Sequence, residues 1–205
     1  MKKLLLLVLC CLLAGSLVPK KVYGGEDPKD DVKEEAKSDK RVLGKENIVT
    51  KEKLSARYQT IVIRDISFEG TSIQEVDETK HPDFKDVVKK LGTDVPDTIA
   101  DELKRMGMFK KVLRQGDAED ALVLEMRFTK ITTGNRATRF FVGFGAGSST
   151  VGIEGKLLDK KTGAVLASFE NNTHSPASMK DLHGVLPADG KNNGIKIARF
   201  INKLY

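Results

Sequence analysis

The sequence predicts an α/β (α+β) fold of two layers, a mixed β-sheet of about five strands covered by helices on one face. Three observations predict it. Leu122, Leu124, Met126 and Phe128 alternate with Val123, Glu125, Arg127 and Thr129 in a strict two-residue period, the mark of a strand with two unlike faces. Phe84, Val88, Leu91, Val95, Ile99, Leu103 and Met106 recur every three or four residues, which lines up one apolar helix face. Strand-like segments flank this helix on both sides and close in a glycine turn, so sheet and helix must share one core.

The elements follow in chain order. Lys2 and Lys3 precede the uninterrupted apolar run Leu4–Leu13, which Ala14, Gly15 and Ser16 then break; this is the tripartite pattern of an export signal. Even extended to Val18, the run falls short of the about 20 residues that span a bilayer as a helix. Cleavage is expected between Gly24 and Gly25, with Val22 and Gly24 meeting the small-residue preference and Gly25, Glu26 and Asp27 opening the mature chain; a cut after Ser16 is the alternative. Cys10 and Cys11 lie inside the apolar run and neither follows a small residue, so neither sits in a lipidation motif. Removal of the leader leaves no cysteine for a disulfide framework or a thiol nucleophile.

Residues 25–56 read as a tether rich in Asp, Glu and Lys, expected to be disordered because its scattered apolar residues cannot offset the entropy of ordering it. The folded domain is placed at 57–205. Ile61, Val62, Ile63 and Ile66 make a strand within Tyr58–Phe68, with a bulge expected where Arg64 and Asp65 shift its phase. Pro96 is expected to kink or divide the following helix, and Gly107 to end it. Phe109–Leu113 and the alternating segment above supply two strands. Thr150–Asp159 and Ala164–Phe169 form a hairpin, with Gly163 in the left-handed position of its loop. Asn171–Lys191 reads as polar and irregular, and Ile195–Leu204 as a short terminal helix bearing Ile197, Ile201 and Leu204.

Charge and motif content narrow the function. The chain carries a formal charge of +6, but four lysines precede the cleavage point, and the remaining +2 gives no dense basic stripe for nucleic acid. Gly143–Thr150 has the glycines of a phosphate cradle, yet Ser148 stands where a P-loop needs lysine and the next segment alternates like a strand rather than opening a helix. No cofactor is therefore expected. His81, His174 and His183 have no metal-ligand spacing, and no serine nucleophile elbow occurs. The glycine-rich link and its neighbours Arg139, Phe140, Phe141, Phe144, Gly145 and Gly147 are the candidate interaction segment, since a contiguous apolar patch marks contact with a partner or a membrane surface; packing of these aromatics in the core is the plainer reading.

The run RFFVGFGAGSSTVGIEGKLLDKKTGAVLASF, Arg139–Phe169, resembles a bacterial exported family known as domain of unknown function 4410. The resemblance extends more weakly over about Ile61 to Leu204, and its most specific features are Gly143–Gly147 and the Asp159–Gly163 turn. It implies a small envelope domain, similar in fold to the N-terminal domain of the Tol-system propeller protein and to the curli-secretion lipoprotein, and brings no catalytic residues. Many members look like lipoproteins; this chain lacks their lipidation motif.

Together these features predict a noncatalytic protein of the periplasm or cell envelope. Its sheet edge or glycine-rich segment would bind another envelope protein or its own copies, with peripheral membrane contact, and anchoring by an uncleaved leader or an acylated Cys, left open and nucleic acid excluded. The alternative is a small-ligand-binding protein or hydrolase whose His174, Ser175, Asp181 and His183 converge in one pocket.

Overall fold

A computed structural model describes residues 41–73, 82–133, 148–175 and 182–205. The expected leader, its cleavage point at Gly24 and Gly25, the first part of the tether and the Arg139–Gly147 segment lie outside them. In chain order the elements are β1 (Lys45–Ile48), a 3-10 turn (Leu54–Ala56), β2 (Thr60–Ile63), β3 (Ser72–Ile73), α1 (Phe84–Met106), β4 (Lys111–Leu113), β5 (Leu122–Thr132), β6 (Ser149–Asp159), β7 (Val165–Ser175) and α2 (Leu182–Leu204). The strands form one open mixed sheet, ordered β1-β7-β6-β5-β2-β4, with β3 pairing β5 beyond the end of β2.

The mixture of strand directions follows from the connections. α1 carries the chain back across the sheet, so β2 lies parallel to β4 and β5, whereas β5, β6, β7 and β1 pair antiparallel. Alternation sorts side chains onto two faces. Ile61, Ile63, Leu122, Leu124, Phe128, Ile131, Ile153 and Leu157 face the helices and are buried against Leu91, Val95, Ile99, Leu103, Ile197 and Ile201. Among the described residues, the opposite face carries a small cluster around Val62, Ala121 and Val123. The two-layer architecture read from the sequence is the one observed.

Four expectations are corrected. The domain begins before residue 57: β1 pairs residue for residue with Ala167–Glu170 of β7, and Leu43 and Leu54 are buried in the core. The tether boundary at 56 failed because two isolated leucines and a four-residue edge strand have no periodicity to detect. The sheet has seven strands rather than about five, the additional ones being β1 and the two-residue β3.

Pro96 does not divide α1, which runs 23 residues to Gly107, whose φ of 65° closes it. A proline inside a helix costs about 3 kcal/mol, but Val95 and Ile99 on either side are fully buried, and each contributes about 1.5–3 kcal/mol on burial. Within the polar stretch Asn171–Lys191, read as irregular, Asn171–Ser175 completes β7 and α2 starts at Leu182 rather than near Ile195; residues 176–181 lie outside the described ones.

Close packing of α2 on α1 explains that longer helix. A Cβ on Gly190 would lie 2.7 Å from Leu91 Cδ2, and one on Gly194 2.8 Å from Thr98 Cβ, so both glycines let the helix backbones approach. The hairpin turn is as expected. Gly163, at φ 71°, takes the left-handed position in the β6–β7 hairpin, and the Tyr58–Phe68 strand breaks after Ile63, regaining β5 through a bridge between Ser67 and Arg127.

Candidate functional site

The two edges of the sheet differ. At one, β4 is three residues long and its neighbour Arg114 is clamped to Asp65 and Asp97, a short charged edge of the kind that resists further pairing. At the other, β1 covers only Ala167–Glu170 of the eleven-residue β7. The chain bends away because Val42 and Leu43 N–H both donate to Glu46 Oε1 (2.5 and 2.9 Å) and Lys203 Nζ donates to Glu46 Oε2 at 2.7 Å. Burial pushes the Glu46 carboxyl up, but the Lys203 ammonium and the two backbone donors outweigh it and hold the group below its ordinary value.

Beyond that bend, Asn171–Ser175 of β7 has no strand neighbour on its outer side among the described residues. Leu166 carbonyl accepts from Val49 and Thr50 N–H on the β1 side, and Glu170 carbonyl oxygen lies 3.3 Å from where a Gly44 Cβ would stand. Backbone alternation in an antiparallel strand therefore turns the N–H and C=O of Asn172 and His174 to the same outer side. Both residues are exposed. A groove of about 450 Å³ runs between this strand end and α2, lined by Asn172, Thr173, His174, Asn192, Ile195, Lys196 and Arg199.

Beneath the edge lies a buried polar layer. Ser149 and Ser175 hydroxyls donate to the two Asp189 carboxylate oxygens at 2.7 and 2.6 Å. Asn171 Nδ2 donates to Asn193 Oδ1 at 2.6 Å, and Asn193 Nδ2 donates to Val151 carbonyl at 2.8 Å. Asp189 and Asn193 are fully buried. Burial drives the Asp189 carboxyl above its ordinary value, against the two serine hydroxyls, which lower it. The layer ties α2 to β6 and β7.

This arrangement separates the residues of the hydrolase reading. His174 and Ser175 are successive strand residues and point to opposite faces: His174 Nδ1 is hydrogen-bonded with Thr150 Oγ1 at 2.9 Å on the open face, while Ser175 donates to Asp189 on the helix side. Asp181 lies outside the described residues, and His183 is in the first turn of α2. Arg139, Phe140, Phe141, Phe144, Gly145 and Gly147 also lie outside them.

A second, larger groove of about 750 Å³ crosses the open sheet face, where Lys45 pairs with Glu170 and Arg127 with Glu154, each at 2.6 Å. These two pairs answer each other's charge, and Glu69, Glu125 and Lys156 line the same groove. Among the described residues no cluster of three or more His, Cys, Asp or Glu could hold a metal ion, and no helix is long and apolar enough to cross a membrane.

The Asp159–Gly163 turn is a structural tie. Asp159 Oδ1 accepts from Lys161 and Thr162 N–H, and Oδ2 from Tyr58 hydroxyl at 2.7 Å and Arg57 at 2.9 Å. The Tyr58 hydrogen bond leads in holding the Asp159 carboxyl low despite its burial, and burial together with Asp159 pushes the Tyr58 phenol up to about 12.

A family model described as domain of unknown function (DUF4410) matches residues 61–177. No curated protein matches the chain. Among solved structures, PelC from Paraburkholderia phytofirmans, crystallised as a dodecamer, is 18% identical over 75% of this chain and 98% of its own, with a TM-score of 0.45. Protein XCC0632 from Xanthomonas campestris is 13% identical over 71% of this chain and 81% of its own, at 0.41. Lipoprotein GNA1162 from Neisseria meningitidis is 13% identical over 71% and 95%, at 0.33.

Proposed function

The chain belongs to the family described as domain of unknown function 4410, and from that membership we propose that it is an exported, noncatalytic interaction module of the cell envelope, which binds another envelope protein through the uncovered end of β7. Export rests on the leader, whose apolar run is long enough to enter the translocation machinery and shorter than a spanning helix. The noncatalytic reading rests on how the polar groups are used: Asp189, Ser149 and Ser175 satisfy one another in the interior, and the ion pairs of the open face are closed on themselves.

One observation carries the binding site. Among the described residues, β1 pairs with four residues of the eleven-residue β7, and the backbone groups of Asn172 and His174 lie beyond them. Such groups template the addition of another strand. Site-specific photo-crosslinking in intact cells tests this, with the reactive group placed at His174 and, as control, at Lys111 on the opposite edge. The reading expects a discrete heavier adduct from His174 alone; free monomer from both positions contradicts it. A reporter fused downstream of the leader tests export separately, and retention of its activity inside the cell overturns the compartment.

A further inference from the structure

Resting on the reading that the end of β7 is a binding edge, we propose that its partner is an acidic extended segment of another protein, added as a strand along Asn171–Ser175 with carboxylates at alternate positions facing Lys196 and Arg199. The edge itself is uncharged, Asn-Asn-Thr-His-Ser, so it supplies backbone pairing but little discrimination. Discrimination comes from the wall of the groove. Asn192, Ile195, Lys196 and Arg199 stand at helical intervals on one flank of α2, the spacing that places residues on a common face.

Neither Lys196 nor Arg199 forms an ion pair with a carboxylate among the described residues. The carboxylate of Glu102, which feels the Arg199 charge, is held by Arg105 at 2.7 Å, and Glu170 at the near end of the edge is held by Lys45 at 2.6 Å. Among the described residues the groove therefore carries positive charge that no direct ion pair neutralises, beside backbone groups with no strand partner. An added strand sends every second side chain to the helix side, about 6.8 Å apart at 3.4 Å per residue. Lys196 and Arg199 are separated by about 4.5 Å of helix rise, and their long side chains span the difference. Ile195, one residue before Lys196 on the same flank, supplies an apolar contact for the neighbouring part of the segment. A second copy of this chain fits less well, because pairing β7 with itself would bring two sets of these cations together.

The test is fluorescence anisotropy with the purified exported protein and three ten-residue Thr/Val peptides carrying Glu, Lys or Gln at alternate positions. Each is titrated against the native protein, the double variant Lys196→Glu/Arg199→Glu, and His174→Pro. The proline removes an outward N–H, where an edge strand tolerates it; far-ultraviolet circular dichroism checks that each variant is folded. The proposal expects the Glu peptide to bind the native protein and to weaken about tenfold or more in the double variant, which should then prefer the Lys peptide. His174→Pro should abolish binding of every peptide.

Equal binding of all three peptides, lost in His174→Pro, overturns the acidic partner while leaving the edge reading in place. No binding of any peptide, with the protein eluting as a dimer or with the Asn172 and His174 amides already protected from exchange, overturns both, because a second copy or the chain's own acidic residues 26–39 then hold the edge. Glu-peptide binding unchanged by the double variant places the recognition elsewhere and refutes the assignment to Lys196 and Arg199.

Discussion

Replacing Asp189 separates the two roles of its carboxylate, filling space and accepting hydrogen bonds. Asp189→Ala leaves the Ser149 hydroxyl, fully buried, and the Ser175 hydroxyl without their acceptor. A net hydrogen bond is worth about 1 kcal/mol, and a buried donor left unpaired costs about 1–3 kcal/mol, so the loss should be about 2–4 kcal/mol. For a domain of this size that corresponds to a fall in Tm of roughly 4–16 °C. Asp189→Asn keeps the shape and one carbonyl acceptor, and a serine hydroxyl can turn to accept from its amide, so its cost at pH 5 should stay below about 1 kcal/mol. The pH dependence sharpens the test. Because the folded carboxyl is held above its ordinary value, the native protein binds more protons than the unfolded chain between about pH 3.9 and that raised value, and this group's contribution to stability falls as pH rises through the window. Asp189→Asn lacks the term, so its stability relative to the native protein should improve from acid to neutral pH and then level off. Urea unfolding followed by circular dichroism from pH 4 to 8 reads both effects. Equal losses for Asn and Ala, or a pH-independent difference between Asp and Asn, would refute the assignment of a buried, hydroxyl-bound carboxylate.

Tyr58→Phe removes the hydrogen bond that leads in depressing Asp159; neutral-pH stability should drop by about 1–2 kcal/mol. Since a depressed carboxyl stabilises above its ordinary value and loses that contribution as pH falls through the folded value, the acid-unfolding midpoint of this variant should move to higher pH, which an acid titration measures. Gly194→Val should cost about 1–3 kcal/mol or more in chemical denaturation, because even its Cβ would meet Thr98 at 2.8 Å. Arg127→Ala should change stability by less than about 1 kcal/mol, since the Arg127 and Glu154 side chains are each 42% exposed and solvent screens the pair; a larger loss in thermal melts would mean the open face contributes more to the fold than its exposure suggests.

What could be read from the sequence was whatever repeats. Leu122–Phe128 and the Phe84–Met106 face gave β5 and α1 because each buries one side against the same core. α2 was only half legible, although its stripe is regular: Leu186, Asp189, Asn193, Ile197, Ile201 and Leu204 fall at three- and four-residue intervals on a buried face. Its middle is polar and glycine-rich, because the partners there are Ser149, Ser175 and Asn171 rather than leucines, and because Gly190 and Gly194 receive α1. A search for spacing regardless of polarity would have found it. β1 carries no such signal; its four residues are a strand only because β7 is already there to pair with. The candidate groove escaped for a related reason. Asn172 and His174 come from what read as an irregular polar stretch, and Lys196 and Arg199 from a helix read for its apolar side, so nothing in the chain order joins them. Conversely, His174 and Ser175, adjacent in sequence, are divided by the alternation of a strand not recognised there.

The account turns on the outer side of β7 beyond Glu170 being open, and amide hydrogen exchange by nuclear magnetic resonance measures that directly. In the isolated protein the Asn172 and His174 amides should exchange fast, while Thr173, facing β6, and Ser168 and Glu170, covered by β1, exchange slowly. Slow exchange at Asn172 and His174, matching that of Glu170, would mean the edge is already paired and would contradict the proposed binding site.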